Sequence, residues 1–351
     1  MKKITMQDIA NELNISRVTV WKVFNNHPGV SEPLKQQVLK KAQELGYRKI
    51  GQIPVQEEPN VTPAPSTTDT TTVSVVVSRP ESSMFWTNII HQIAKELNKF
   101  QINLMYTYLP SRMPEHYTLP AVLTDGTVQG IIVLNVYDLD MFHALNRLNI
   151  PKVFLDSITA VAPEELTGDL ILLEGKSSIR QITNSIIEKG RIKIGFIGDI
   201  NYARTNLHRY EGFLQAMQEH RLDVNPEFCM TTPIGIDTYA EEISEFLNHL
   251  KQMPEAFICV SDYVAHFVLK YLLEHNYNVP ADIAISGFDG RSEYLDTPDY
   301  LTTVPVETRA LGKKLARQLL YRMQYPDFPF EVIYQYYKVL YSSSTDFDYK
   351  L

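Results

Sequence analysis

Between Lys49 and Thr72 the chain reads KIGQIPVQEEPNVTPAPSTTDTTT, and this stretch governs what the rest can become. Pro54, Pro59, Pro63 and Pro65 each remove a backbone donor and fix φ, so no regular helix runs through it. Its remaining residues are mostly polar and offer little to bury, which predicts an extended or disordered linker over residues 51–72. A chain of 351 residues interrupted this early must fold as separate units, a short head of residues 1–50 and a long body of residues 73–351.

The two parts carry opposite charge. Nine Lys and Arg against four acids give residues 1–50 a net +5, whereas 24 basic and 37 acidic residues leave the remaining 301 residues, linker included, at −13. A basic head on an acidic body suits a protein that meets nucleic acid at one end only. The N-terminus, MKKITMQDIANEL, is too polar for a secretory signal. No stretch approaches the roughly 18 consecutive apolar residues of a membrane span, so no membrane is expected and the cytoplasm is the expected compartment. Cys229 and Cys259 stand far apart without CxxC spacing, so both read as packed thiols rather than a disulfide or zinc site, and neither a metal nor a cofactor is expected.

Within the head, Thr5 suits an N-cap, and Ile9, Ala10 and Leu13 recur at helical spacing. Asn14 and Ile15 break that helix. Ser16 then caps a second one running to about Phe24, with Val20, Val23 and Phe24 inward and Arg17, Val18, Trp21 and Lys22 outward. After the turn signal Asn25 to Gly29, Ser31 caps a third helix with Pro33 in its first turn, an apolar stripe of Leu34, Val38, Ala42 and Leu45, and Gly46 as its stop. Three short helices with a tight first turn make a helix-turn-helix unit.

The run ITMQDIANELNISRVTVWKVFNNHPGVSEPLKQQVLKKAQELGYR resembles the DNA-binding head of the LacI family of bacterial transcription regulators. Asp8, Ile9, Ala10, Ser16, Thr19, Val20, Asn25, the Val30–Ser31 pair and Leu45-Gly46-Tyr47-Arg48 carry the resemblance. It implies base reading by Arg17, Val18 and Lys22, since recognition helices enter the major groove by their N-terminal residues. Arg17 has the fork to pair with guanine and Val18 the methyls to pack on thymine. Thr5, Ser16, Thr19 and Asn25 read as phosphate or capping groups, which position without specifying. Trp21 followed by Lys22 departs from the family, which places a small Ser here; the indole either stacks on sugar-phosphate or folds back on the head. The linker also departs, because the family continues with a hinge helix.

From Val73 onward, runs of β-branched residues alternate with helical patterns. VSVVV (73–77), INLMYTY (102–108), GIIVLNV (130–136) and KVFLD (152–156) predict one set of strands; DLILL, KIGFIGD (193–199), AFICVSD (256–262) and IAISGFD (283–289) predict a second. Repeated βα units imply parallel, doubly wound sheets with ligands at the carboxyl ends of strands. The order of these pieces resembles the α/β effector domain of the same family, a two-lobed fold like that of type I periplasmic binding proteins. Ile150-Pro151-Lys152-Val153, Arg209 with Gly212-Phe213, Ser261-Asp262, Val279-Pro280-Ala281-Asp282-Ile283 and Leu301-Thr302-Thr303-Val304 anchor it.

That resemblance implies a small-molecule effector held between the lobes by Asp156, Arg209, Asp262 and Asp289. Carboxylates accept from hydroxyls and an Arg fork donates to oxygens, which suits a carbohydrate. Phe85 and Trp86 are candidates for stacking on a sugar ring, although aromatics equally fill cores. Each polar candidate has a structural alternative: Asp289 as a turn cap, Arg209 as an ion-pair partner. Enzyme signatures are missing: LLEGKS (172–177) imitates the end of a P-loop but lacks its first Gly, and GxSxG, HExxH and GxGxxG do not occur. The sequence therefore predicts a homodimeric, effector-controlled repressor that binds double-stranded operator DNA. The rival expectations are a solute-binding sensor whose head binds a protein, and an enzyme fused to a DNA-binding head.

Overall fold

The computed structural model describes residues 6–24, 30–45, 71–78, 84–235, 237–290 and 300–347. The chain divides into a unit of Met1–Thr68 and a unit of Asp69–Leu351. Residues 51–70, and with them nearly all of the expected linker, lie outside the described residues.

The first unit contains α1 (Met6–Glu12), α2 (Arg17–Phe24) and α3 (Glu32–Glu44). Ile9, Ala10, Val20, Val23, Val38 and Ala42 form its buried core, with Leu13, Ile15, Leu34 and Leu45 around them. Asn14 takes the left-handed conformation (φ 55°) that turns the chain after α1, a conformation asparagine tolerates better than most residues. The Ile15 amide then closes the turn on the Ala10 carbonyl at 3.0 Å. The Ser16 hydroxyl accepts the Thr19 amide at 3.0 Å and caps α2, as the sequence predicts.

The second unit has two lobes. In the first lobe, β1 (Thr72–Val77), β2 (Asn103–Tyr108), β3 (Gly130–Leu134), β4 (Lys152–Leu155) and β5 (Asp169–Leu173) form a parallel sheet in the order β5-β4-β3-β1-β2. Alternate residues of β1 point to opposite faces: Val73, Val75 and Val77 pack with Ile89, Ile93 and Leu97 of α4 (Met84–Asn98), while Val76 packs with Met141, Phe142 and Leu145 of α5 (Leu139–Asn146).

The second lobe follows with α6 (Lys176–Glu188), β6 (Ile194–Ile197), α7 (Arg204–Glu219), β7 (Cys229–Met230), α8 (Tyr239–His249), β8 (Ala256–Cys259), α9 (Asp262–Glu274) and β9 (Ala284–Ser286). Its parallel sheet runs β7-β6-β8-β9. Phe196 of β6 packs edge to face on Tyr210 and tilted against Phe213, which fastens α7 to this lobe.

The chain then returns to the first lobe. In α10 (Thr308–Gln324), Gly312 approaches α4 so closely that a Cβ there would sit 2.6 Å from the Ile89 carbonyl. A sixth strand, β10 (Val332–Gln335), adds to the free edge of β5, in parallel register from Val332–Leu170 to Gln335–Leu173. The sequence pass did not single out β10. A buried ion pair secures it: Asp169 takes Arg322 Nη2 at 2.6 Å, Gln318 Nε2 at 2.9 Å and the Glu331 amide at 2.9 Å. Leu340 finally pairs with Thr303 beside the second lobe. The strands of both sheets thus direct their carboxyl ends into the region where the chain crosses between lobes.

Candidate nucleic-acid interface and ligand cleft

On the head, Arg17 and Val18 are exposed at the first turn of α2, Val18 to 61%. Lys22 is half-buried one turn later. The Ser16 and Thr19 hydroxyls lie 2.9 Å apart, so Ser16 serves first as the helix cap. Trp21 belongs to α2, but its side chain, like Thr5 and Asn25, lies outside the described residues.

In the body, Arg209, Asp262 and Asp289 come together at the carboxyl ends of the second-lobe strands. Arg209 is almost wholly buried; its Nη1 donates to the Val260 carbonyl at 2.7 Å and its Nη2 lies 3.5 Å from Asp289 Oδ1. Its guanidinium lies 3.7 Å over the Phe288 ring, and its buried Nε has no partner among the described residues. Gly175 makes room for it, since a Cβ there would meet Arg209 Cγ at 2.6 Å. Asp289 sits at φ 105° and keeps 28% of its side chain exposed. Burial pushes its carboxyl up to about 6, against the pull of Arg209.

Asp262 has a different position. It is 3% exposed, its Oδ2 accepts the Gly290 amide at 2.9 Å and its Oδ1 accepts the Thr303 hydroxyl at 2.7 Å. Burial, and then repulsion from Asp289, push it up to about 7. Gly287 is required next to it, because a Cβ there would lie 2.2 Å from Asp262 Oδ1. Asp262 therefore holds the loop that carries Asp289.

Asp156 follows β4 in the left-handed region (φ 65°) and is 7% exposed. Its carboxylate is filled by protein donors: the amides of Ser157 and Thr205, the Thr205 hydroxyl and the Tyr137 hydroxyl. Burial raises its pKa, and the bonds from Thr205 and Ser157 oppose the rise.

Phe85 and Trp86 pack edge to face at the start of α4, with centroids 5.3 Å apart. Trp86 lines an outer groove of about 460 Å³ with Val77, Ile90, His91 and Tyr106, between α4 and the edge strand β2. The sequence reading missed Asn135, which follows β3 in the left-handed conformation (φ 54°) and whose buried Nδ2 has no partner among the described residues. The signal was available, because a polar residue directly after a buried strand is the pattern that also marks Asp156.

The P-loop-like segment is a helix cap: Glu174 accepts the Ser177 amide at 2.8 Å and the Ser177 hydroxyl at 2.5 Å. Among the described residues, no group of His, Cys, Asp or Glu is placed to hold a metal ion, and no helix is long and apolar enough to cross a membrane. Cys229 and Cys259 are free thiols, half-buried and buried.

Residues 5–49 match the family described as bacterial regulatory proteins, lacI family, and residues 183–345 match the periplasmic binding protein-like domain. The HTH-type transcriptional regulator RegA of Clostridium saccharobutylicum is 25% identical over 323 residues, 90% of this chain and 91% of RegA. The HTH-type transcriptional repressor PurR of Haemophilus influenzae is 27% identical over 346 residues, 95% of each chain. Among solved structures, the transcriptional regulator CelR–cellobiose complex aligns with a TM-score of 0.69 at 20% identity, covering 97% of this chain and 100% of that one. The lac repressor dimer bound to operator aligns at 0.63 and 18% identity, covering 98% and 99%.

Proposed function

Because this chain belongs to the LacI family of bacterial regulatory proteins, we propose that it is a DNA-binding transcription regulator whose head reads an operator and whose two-lobed body senses a carbohydrate. The observation that carries the sensing half is the Arg209–Asp289 pair: a buried guanidinium with an unused Nε–H beside a partly open carboxylate. Such a pair offers a donor and an acceptor to the same ligand, which a hydroxyl or vicinal diol satisfies. Arg209 and Asp289 contact the effector in this reading, and Asp262 and Asp156 hold them in place. Cellobiose in the CelR complex is an effector of this chemistry.

The protein acts as a homodimer, because one short recognition helix makes few base contacts and a two-fold pair matches two half-sites. The lac repressor neighbour is a dimer on its operator. Effector binding biases DNA affinity to the extent that it prefers one arrangement of the lobes. The effector leaves the cleft chemically unchanged, and the protein works in the cytoplasm where its DNA lies.

Two substitutions test the two halves. Arg17→Ala relaxes base preference at one operator position, read from a panel of single-base operator variants; an equal loss on operator and random DNA would remove Arg17 from the base readers. A carbohydrate panel that stabilises the wild type thermally loses its effect with Arg209→Ala and with Asp289→Ala. Unchanged shifts in both variants would move the effector elsewhere. A DNA affinity that barely responds to salt would favour the reading in which the head binds a protein.

A further inference from the structure

α7 begins without a cap of its own. Its N-cap residue is Ala203, whose side chain makes no capping bond, and its first turn contains no acid. An uncapped helix start leaves amides without acceptors and a positive dipole end without a counter-charge. Here the missing acid comes from the other lobe. Asp156, at the end of β4 in the six-stranded sheet, accepts the Thr205 amide at 3.2 Å and the Thr205 hydroxyl at 2.5 Å, while Tyr137 OH steadies the same carboxylate from its own lobe at 3.1 Å.

The seam extends on either side of that carboxylate. Arg204 donates from Nε to the Ser157 hydroxyl at 3.0 Å and from Nη2 to the carbonyls of Ile158 and Val161. Its amide bonds the Ser157 carbonyl at 2.9 Å. Ile158 and Ala203 form an antiparallel bridge, the Thr159 amide donates to Tyr202 at 3.2 Å, and the Thr159 hydroxyl donates to Asn201. The rings of Tyr137 and Tyr202 close the seam edge to face at 4.8 Å.

We propose that this seam is an effector-independent clamp: Asp156 and Arg204 tie the two lobes together along loop 156–161 and the start of α7, so that lobe rearrangement pivots about the clamp. Every contact named in the seam joins two protein groups directly, so none of them runs through a ligand. Arg209 lies five residues beyond Arg204 on the same helix, and Gly175 leaves it no slack. The clamp therefore fixes the direction from which Arg209 enters the cleft, and Asp156 and Arg204 act as positioning residues.

The test uses the full chain without added sugar. Hydrogen exchange is followed in peptides covering 156–161 and 202–207, with β6 as an internal reference. Spin labels at Asp140 on α5 and Glu241 on α8, both exposed, report the distance between lobes. Cys229→Ser serves as the labelling background, since Cys259 is buried. The wild type should protect both peptides and give one narrow distance distribution. Asp156→Ala and Arg204→Met should raise exchange in both peptides by about tenfold or more, leave β6 protected and broaden the distribution. Asp156→Asn retains an acceptor for the amides and should restore much of the protection. A wild type whose two peptides exchange like open loops, or variants that leave both readouts unchanged, overturns the clamp. Should Asp156→Ala fail to fold, the wild-type measurement and Arg204→Met decide.

Discussion

Replacing Asp262 with Asn measures how much the cleft's buried charge costs the fold. The wild-type carboxylate is 3% exposed and is pushed from an ordinary 3.8 to about 7 by burial and by Asp289. An acid whose pKa is higher folded than unfolded binds more protons in the folded state. Its contribution to stability is therefore most favourable near pH 4, declines as the pH climbs through about 7, and is least favourable above that. Asparagine imitates the protonated acid at every pH. Its carbonyl oxygen can accept the Gly290 amide, its amide can donate to Thr303 Oγ1 once that hydroxyl turns, and the Asp262 backbone bond to Phe288 is untouched.

At about 1.4 kcal/mol per tenfold change in proton affinity, the shift sets a ceiling of about 4 kcal/mol above pH 7. Sharing of the proton with Asp289 brings the expected gain to about 2 to 4 kcal/mol. At roughly 2 to 4 °C per kcal/mol for a domain of this size, Asp262→Asn should melt roughly 5 to 10 °C higher than wild type at pH 8. The two proteins should coincide near pH 4. Thermal unfolding by circular dichroism across pH 4 to 8 reads both. A variant less stable than wild type at pH 8, or a difference that ignores pH, would refute the assignment of strain to this carboxylate.

Arg322→Met breaks an ion pair whose side chains are 2% and 0% exposed and strands Asp169 inside the protein, so it should lower stability by about 3 to 5 kcal/mol in urea unfolding. Loss of protection at β10 should precede global unfolding in hydrogen exchange. Ser16→Ala removes the α2 cap at a cost of about 1 kcal/mol; DNA affinity should fall by a similar factor on every sequence, leaving base preference intact, in a fluorescence anisotropy titration. Trp86→Ala should leave carbohydrate-induced thermal shifts unchanged, because the indole lines the groove between α4 and β2.

Much of the fold was legible because its signals are local. The β-branched runs at 73–77 and 130–134 are fully buried strands whichever lobe receives them, and Ser16 caps α2 through its own neighbour Thr19. Strand-end polar residues were legible as candidates, and their partners were not. Arg209 and Asp289 lie 3.5 Å apart. Asp156 and Asp262 follow the same strand-end pattern, yet Asp156 takes four protein donors and Asp262 two, from Thr205 lying 49 residues and Thr303 41 residues away among others. No local pattern distinguishes a carboxylate awaiting a ligand from one already partnered across a fold.

The sequence by itself determined the separation into a basic helical head and an acidic α/β body, since Pro spacing, charge and apolar periodicity depend on residues close together in the chain. Only the tertiary structure decided how the last forty residues are used. The segment FEVIYQYYKVL alternates weakly, and its outward residues Val332, Tyr334 and Tyr336 stay exposed. It becomes a strand because β5 presents a free edge and the Asp169–Arg322 pair fixes its start. The same holds for the clamp: Ala203 gives α7 no cap, and the acid that serves it lies in the other lobe. Chain neighbours set the elements, and partners distant in sequence set which of their polar groups remain free for a ligand.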